Sequence, residues 1–437
     1  MPTRDFSLDT LFRANARRLA GREATIDGTQ RLTWSELDQR VEQLAQGLLA
    51  RGIGPGDRVA LLLTDGAPYL TTLLACGRIG AIAVLLNWRL APGEIAWIMG
   101  NAEVSMTFAN PRFAQLLSES ETGEVVLVDE RHDPHGAFEN LVTDASASGA
   151  LPALEAERPL YMMYTSGTTG RPKGCLQAGS AVAASALGMC TRRGWTHDER
   201  LLSVNPLFHV VGMQQVAAMI ACGGTMVFAG RDDASPAILD LLHRERCTTT
   251  SAFPQISFPW QAMQPIRDGR MPLTNYTGGA GMGRPQIYEF IEQEWDCRVV
   301  GGYGQTEICG FATAIDYSDM LAHPRSIGWP IQHVEMCILD PAGNPLPPGE
   351  EGEICMRGPS VMLGYWRNEE ATKAALGHGW LRSGDLGTMD ERGLFYLLGR
   401  AKELIKTGGE NVYPAEVDAV FAAMPEVADA GCCGVPD

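Results

Sequence analysis

The chain has 437 residues, 45% of them hydrophobic and 20% charged, the balance of a soluble globular protein large enough for two or three packed domains. A formal net charge of −17, with no Lys/Arg run, argues against a nucleic-acid partner, and any anionic nucleotide must be held by local groups against the overall field. Eleven cysteines, single apart from Cys432-Cys433 and without a C-x-x-C or Cys/His spacing, fit buried thiols in a reduced, cytoplasmic setting rather than zinc ligands.

The run Met1 to Gly21 has no apolar signal core. Arg13, Arg17 and Arg18 imitate an organelle transit helix, but Asp5 and Asp9 count against one. Thr33-Trp34-Ser35-Glu36 reads as a capping box, followed by Leu37, Val41, Leu44 and Leu48 at helical spacing, with Gly52 as the stop. Arg58 to Leu63 reads as a short buried strand, and a second helix–strand pair spans 69–78 and 81–86. The alternation returns as an Ala-rich helix near 180–190, a strand at 225–229, a helix at 238–245 and a strand at 248–252. It predicts an α/β fold, a mostly parallel sheet flanked by helices. Residues 201–230 contain no Asp, Glu, Lys or Arg, which raises a membrane span. Asn205, Pro206, His209, two Gln and Gly223-Gly224 interrupt it, so core strands and a helix fit better. From about residue 330, short apolar runs alternate with Pro/Gly turns such as PAGNPLPPGEEG, the texture of a small β-subdomain.

The most informative stretch is YTSGTTGRPKG, Tyr164 to Gly174. Backbone N–H groups exposed by glycine, four hydroxyls and one ammonium suit a polyphosphate. The pattern is not the G-x-x-x-x-G-K-[ST] loop that opens a helix. Pro172 lacks an N–H and biases Arg171 toward extended backbone, so a hairpin-like loop is expected. Downstream lie NPLFHVVGM (Asn205 to Met213), GGYGQTE (Gly301 to Glu307), WLRSGDLG (Trp380 to Gly387) and GRAKELIKTGGENVYP (Gly399 to Pro414). In the second of these an aromatic face and a carboxylate stand ready for a base and for a Mg²⁺ that bridges phosphates. His209 by itself reads more readily as a satisfied core histidine than as a catalyst.

Together and in this order, these motifs resemble the AMP-forming adenylate synthetase superfamily, which includes acyl-CoA synthetases, firefly luciferase and peptide-synthetase adenylation domains. The resemblance covers nearly the whole chain. It implies that a carboxylic acid and Mg·ATP give an acyl-adenylate and pyrophosphate, after which a thiol takes the acyl group. It also implies a large N-terminal domain, residues 1–399, of two helix-flanked, mostly parallel sheets with the β-subdomain at about 330–399. The start of a small α+β C-terminal domain would follow at 400–437.

By the same resemblance, Thr165, Ser166, Thr168, Thr169 and Lys173 would cradle the β- and γ-phosphates, with Gly167 and Gly170 in the same loop. Thr306 would touch the α-phosphate and Glu307 would hold Mg²⁺. Tyr303 would stack on adenine beside the backbone of Gly279, Ala280 and Gly281, with Gly302, Gly304 and Gln305 completing the nucleotide site. Asp385 and Arg400 would bind the ribose, and Lys402 would be the hinge between the two half-reactions. His209 would border the acyl site as a catalytic-site residue. Relatives usually continue for roughly another hundred residues and carry a late Gly-Lys pair, so a further C-terminal segment is expected to be missing here.

Amino-acid-activating relatives place an Asp just after the aromatic of the Phe motif, whereas Phe208 is followed by His209-Val210-Val211. The expected acyl lining of His209, Val210, Val211, Met213, Phe253, Gly278, Gly279 and Cys309 is apolar and includes no Arg or Lys for a second carboxylate. A fatty, branched or aromatic monocarboxylic acid is therefore expected. GRAKELIKTGGENVYPAEV also resembles fatty acyl- and aryl-CoA ligases, which implies that the Gly408-Gly409-Glu410 segment approaches the thiol channel and makes CoA the expected acceptor. A carrier-protein acceptor, a catalytically impaired nucleotide-binding protein and a homodimer remain open.

Overall fold

The computed structural model describes residues 6–129, 133, 135–143, 149–154, 157–165, 171–230, 235–251, 272–280, 285–407, 410–422, 424, 427 and 431–435. The chain begins with α1 (Leu8–Arg18), β1 (Glu23–Asp27), β2 (Gln30–Thr33), α2 (Trp34–Ala50), β3 (Arg58–Leu62), α3 (Ala67–Ile79) and β4 (Ile82–Leu85). The capping box forms as read: the Glu36 N–H donates to Thr33 Oγ1, and the Thr33 N–H donates to Glu36 Oε2. It sets the phase of α2, so that Leu37, Val41, Leu44 and Leu48 are fully buried against α3. Arg78 on α3 is buried but bonded to Asp9, Asp38 and Glu42, which compensates a charge that would otherwise be costly there.

Next come α4 (Pro92–Ala102), β5 (Met106–Ala109), β6 (Glu124–Leu127), α5 (Ala137–Thr143), β7 (Pro159–Thr165) and β8 (Lys173–Ala178). They are followed by α6 (Gly179–Arg193), β9 (Arg200–Ser203), α7 (Val210–Cys222), β10 (Thr225–Phe228), α8 (Ser235–Arg244) and β11 (Thr249–Ser251). The uncharged 201–230 run is thus two core strands and a core helix. No helix among the described residues is long and apolar enough to cross a membrane.

The rest of the sheet framework is β12 (Asn275–Gly279), β13 (Arg298–Gly302), β14 (Gly304–Gln305), β15 (Gly310–Phe311), β16 (Thr313–Asp316), β17 (Ser326–Pro330), β18 (Glu335–Leu339), β19 (Gly352–Arg357), β20 (Gly364–Tyr365), β21 (Leu381–Met389) and β22 (Phe395–Arg400). One sheet has the order β20-β8-β7-β4-β3-β5-β6 and is parallel from β7 to β6. Helices cover it, so β3 and β4 are continuous apolar runs rather than alternating ones. A second sheet runs β18-β19-β21-β22-β17-β16-β13-β12-β11-β9-β10-β1-β2, parallel from β13 to β1.

The β-rich region from residue 330 joins the second sheet. Its strands hydrogen-bond through β22 and β17 onto the second sheet, while keeping an apolar cluster around Ile338, Ile354 and Phe395. Beyond Arg400 lie a hairpin, Ile405–Thr407 with Glu410–Val412, and the helix Pro414–Ala422. Residues 431–435 form no regular element.

Candidate active site

β7 and β8 form the expected hairpin, with Thr165 paired to Lys173 across the loop and the Thr165 hydroxyl 3.5 Å from the Lys173 carbonyl. Residues 166–170, the centre of the loop, lie outside the described residues, as do Phe253, Gly281, Gly408 and Gly409. Lys173 opens β8, and alternation puts Lys173, Cys175 and Gln177 on one face of it. That face meets the turn Thr306–Ile308, which follows the Gly-rich end of β13. The Gln177 amide donates to the Thr306 carbonyl and accepts from the Cys309 thiol at 2.8 Å.

Cys309 closes this turn at a left-handed φ of 58°, uncommon for a side chain with a Cβ. The strain is held by surroundings that over-determine it. The Cys309 N–H bonds back to Thr306, and Ser185 on α6 donates to the Cys309 carbonyl at 2.9 Å. Gln214 on α7 donates to Ser185 and accepts from the Phe311 N–H.

The turn delivers Glu307 to the β7–β8 hairpin. Its Oε1 accepts a hydrogen bond from the Tyr365 hydroxyl at 2.7 Å, and the Lys173 ammonium lies 5.1 Å from the centre of the same tyrosine ring. Neither Lys173 nor Glu307 forms an ion pair with a described residue, so ammonium and carboxylate stand close without neutralising each other. The sequence reading had not singled out Tyr365. GYWRN contains no cluster of chemistry-bearing residues, and its role emerges only when the two-residue strand β20 pairs with β8.

A second group lies beside the first. The Tyr303 hydroxyl donates to Asp385 Oδ2 at 2.5 Å, and Arg400 Nε donates to Asp385 Oδ1 at 3.0 Å. Asp385 and Arg400 are direct cross-strand partners on β21 and β22, a favourable placement for opposite charges. Burial pushes the Asp385 carboxyl above its ordinary range, opposed by Tyr303 and Arg400.

The carboxyl ends of β12 and β13 lie side by side, Gly278 opposite Gly301 and Gly279 opposite Gly302. Such strand ends form the usual ligand crevice of open α/β sheets. The glycines there do two different jobs. A Cβ on Gly279 would meet no described atom within 4 Å, so the space beside its Cα is open, while its N–H donates to the Tyr288 hydroxyl at 3.0 Å and its carbonyl accepts from that hydroxyl at 3.2 Å. A Cβ on Gly304 would fall 1.8 Å from the Gly310 carbonyl oxygen, so that glycine serves the β14–β15 contact. Ala280 is buried, with its N–H bonded to Gly302.

The expected acyl residues separate. His209 caps α7, its Nδ1 accepting from the Val211 N–H at 3.3 Å. Desolvation and then the Arg89 charge lower its pKa. Val210, Met213 and Cys309 are buried in one apolar core, with Met213 only 1% exposed. Gly278 instead abuts Tyr288, where a Cβ would come within 2.5 Å of the ring. A cation outside the expected lining lies nearby: Arg89 sits over the rings of Trp88 and Phe208, at 4.6 Å and 5.8 Å. It precedes His209 by 120 positions, so local sequence gave no hint of it. Lys402 lies in an exposed turn after β22.

Residues 12–366 match the AMP-binding enzyme family. The chain belongs to that family. It is 33% identical over 422 residues to a feruloyl-CoA synthase of Amycolatopsis sp, covering 94% of this chain and 82% of that protein. It is 34% identical to the indoleacetate–CoA ligase of Aromatoleum aromaticum, covering 92% and 80%. Among solved structures, the o-succinylbenzoate coenzyme A synthetase of Bacillus subtilis in complex with ATP and magnesium ion superposes with a TM-score of 0.86, at 28% identity, over 98% of this chain and 87% of that one.

Proposed function

We propose that this family member activates a carboxylic acid with Mg·ATP to an acyl-adenylate and pyrophosphate and then transfers the acyl group to CoA. The observation that carries the reading is the convergence of Lys173, Glu307 and Thr306 next to the Tyr303–Asp385–Arg400 group, over the open end of β12. Aromatic monocarboxylic acids are the preferred class, since the feruloyl and indoleacetate ligases are among the relatives. Fatty and branched acids remain in the test panel.

A carboxylate is a weak nucleophile and is repelled by a triphosphate, so charge neutralisation and alignment at the α-phosphorus carry most of the rate. Lys173 supplies a fixed positive charge at the loop mouth, and Thr306 a hydroxyl on the turn facing it. Tyr303 offers its ring to adenine. Asp385 and Arg400 offer an acceptor and a donor to the ribose hydroxyls. Glu307 fits Mg²⁺: it is a hard oxygen donor with no described partner on Oε2, and no cluster of three acidic, His or Cys groups among the described residues competes for the ion. Magnesium bound there with ATP would draw charge from the phosphates and ease departure of pyrophosphate.

The test is pyrophosphate release over a panel of aryl, branched and straight-chain acids, with CoA and a phosphopantetheinyl carrier as competing acceptors. Acid-dependent release with CoA-thioester formation is expected. Release with transfer to the carrier alone would replace CoA as acceptor, and no acid-dependent release would refute the proposal. Lys173→Ala is expected to raise the KM for ATP without unfolding the protein.

A further inference from the structure

Tyr365 is held by more contacts than a surface tyrosine needs. Its strand β20 pairs antiparallel with β8, Tyr365 opposite Cys175 and Gly364 opposite Leu176. The Tyr365 N–H donates to Thr372 Oγ1 at 2.9 Å, and the next N–H, of Trp366, donates to the Gly174 carbonyl at 2.7 Å. Upstream, the Met362 N–H donates to the Glu307 carbonyl at 2.8 Å. The Trp366 indole donates to the Asn101 carbonyl. The segment is therefore stitched to the phosphate hairpin on one side and to the backbone of Glu307 on the other.

We infer that Tyr365 is a positioning residue that keeps the Lys173 ammonium and the Glu307 carboxylate apart while aiming both at one triphosphate. The inference rests on the reading of Glu307 as the metal ligand and Lys173 as the phosphate cation. The two charges sit on facing elements, and a direct ion pair would leave neither for Mg·ATP. The tyrosine gives each a weaker partner. The ring face attracts the ammonium without a counter-charge, and the hydroxyl donates one hydrogen bond to one carboxylate oxygen, leaving the other for a cation.

The experiment is calorimetric titration of a non-hydrolysable ATP analogue into the intact protein at a series of Mg²⁺ concentrations, without acid or CoA. Melting temperatures are measured in parallel. Tyr365→Phe keeps the ring and loses the hydroxyl. It is expected to raise the half-saturating Mg²⁺ about tenfold, the order of one charge-assisted hydrogen bond, with Mg²⁺-independent binding of the analogue unchanged. Tyr365→Leu also removes the ring and is expected to weaken nucleotide binding several-fold further. Glu307→Gln is the control arm. If Glu307→Gln shifts the Mg²⁺ dependence and Tyr365→Phe does not, the positioning role is overturned while the site reading stands. If Glu307→Gln leaves the dependence unchanged, the metal reading fails and this inference with it. A lowered melting temperature in both tyrosine variants, with unaltered Mg²⁺ dependence, would make Tyr365 a packing residue only.

Discussion

Asp65 offers a test with a defined sign. It lies between β3 and α3, and its Oδ1 accepts the Leu207 N–H at 2.8 Å, just before Phe208 and His209. Burial drives its pKa from 3.8 up to about 7, helped by repulsion from Asp27 and opposed by the Leu207 N–H and Arg89. An acid whose folded pKa is raised holds a proton in the folded state that the unfolded chain releases. Its stabilising contribution is complete below about pH 4 and is lost as pH rises through about 7, flattening above that. At about 1.36 kcal/mol per pH unit the full span is roughly 4 kcal/mol, and partial solvent contact reduces this to the order of 2 kcal/mol. Asp65→Asn keeps an oxygen to accept from Leu207 and carries no charge. It is expected to be more stable than the parent at pH 8 by roughly that amount, with the difference vanishing below about pH 4. Denaturant titrations at several pH values measure the difference directly. Parallel pH profiles for the two proteins, or an Asn variant less stable at pH 8, would refute the reasoning.

Met213→Ala is expected to lower stability by about 2–5 kcal/mol through a core cavity and to leave the ranking of acids unchanged. A changed chain-length preference at an unaltered melting temperature would place Met213 in the acyl pocket instead. Gly304→Ala is expected to lower the melting temperature and nucleotide affinity together, since its Cβ collides with the Gly310 carbonyl; a parent-like melt would show that β14 and β15 can separate freely. Thr33→Ala removes the cap of α2 and is expected to cost about 1 kcal/mol, read by denaturant titration, with no change in KM for ATP.

What could be read in the sequence was short-range. Thr33 and Glu36 lie three residues apart and bond as the pattern requires. Pro172 marked the loop as a hairpin rather than a helix start, because its missing N–H and its effect on the preceding residue are local properties. What could not be read depends on which edges meet. The strands after residue 330 were recognisable as strands, yet nothing in their alternation shows that β22 would pair with β17 and extend an existing sheet. Met213 could not be assigned from pattern either. Helix α7 is apolar on nearly every side, so its sequence does not distinguish a residue facing a pocket from one facing the core.

The charge balance gives the site its logic. At physiological ionic strength the Debye length is about 8 Å, so most of the −17 is screened from a triphosphate and only charges within the site count. The carboxylates of Asp385 and Glu307 are controlled differently. Asp385 is bound on both oxygens, by Tyr303 and by Arg400, so its charge is spread over partners before a ribose arrives. Glu307 is bound on one oxygen by a neutral donor, so its charge remains available to a cation. Lys173 rests against a ring rather than a carboxylate and keeps its charge for an anion. Paired directly, Lys173 and Glu307 would make a salt bridge that Mg·ATP must first break. Separated by Tyr365, they would, on the proposed reading, offer an incoming nucleotide a cation for its phosphates and a carboxylate for its magnesium.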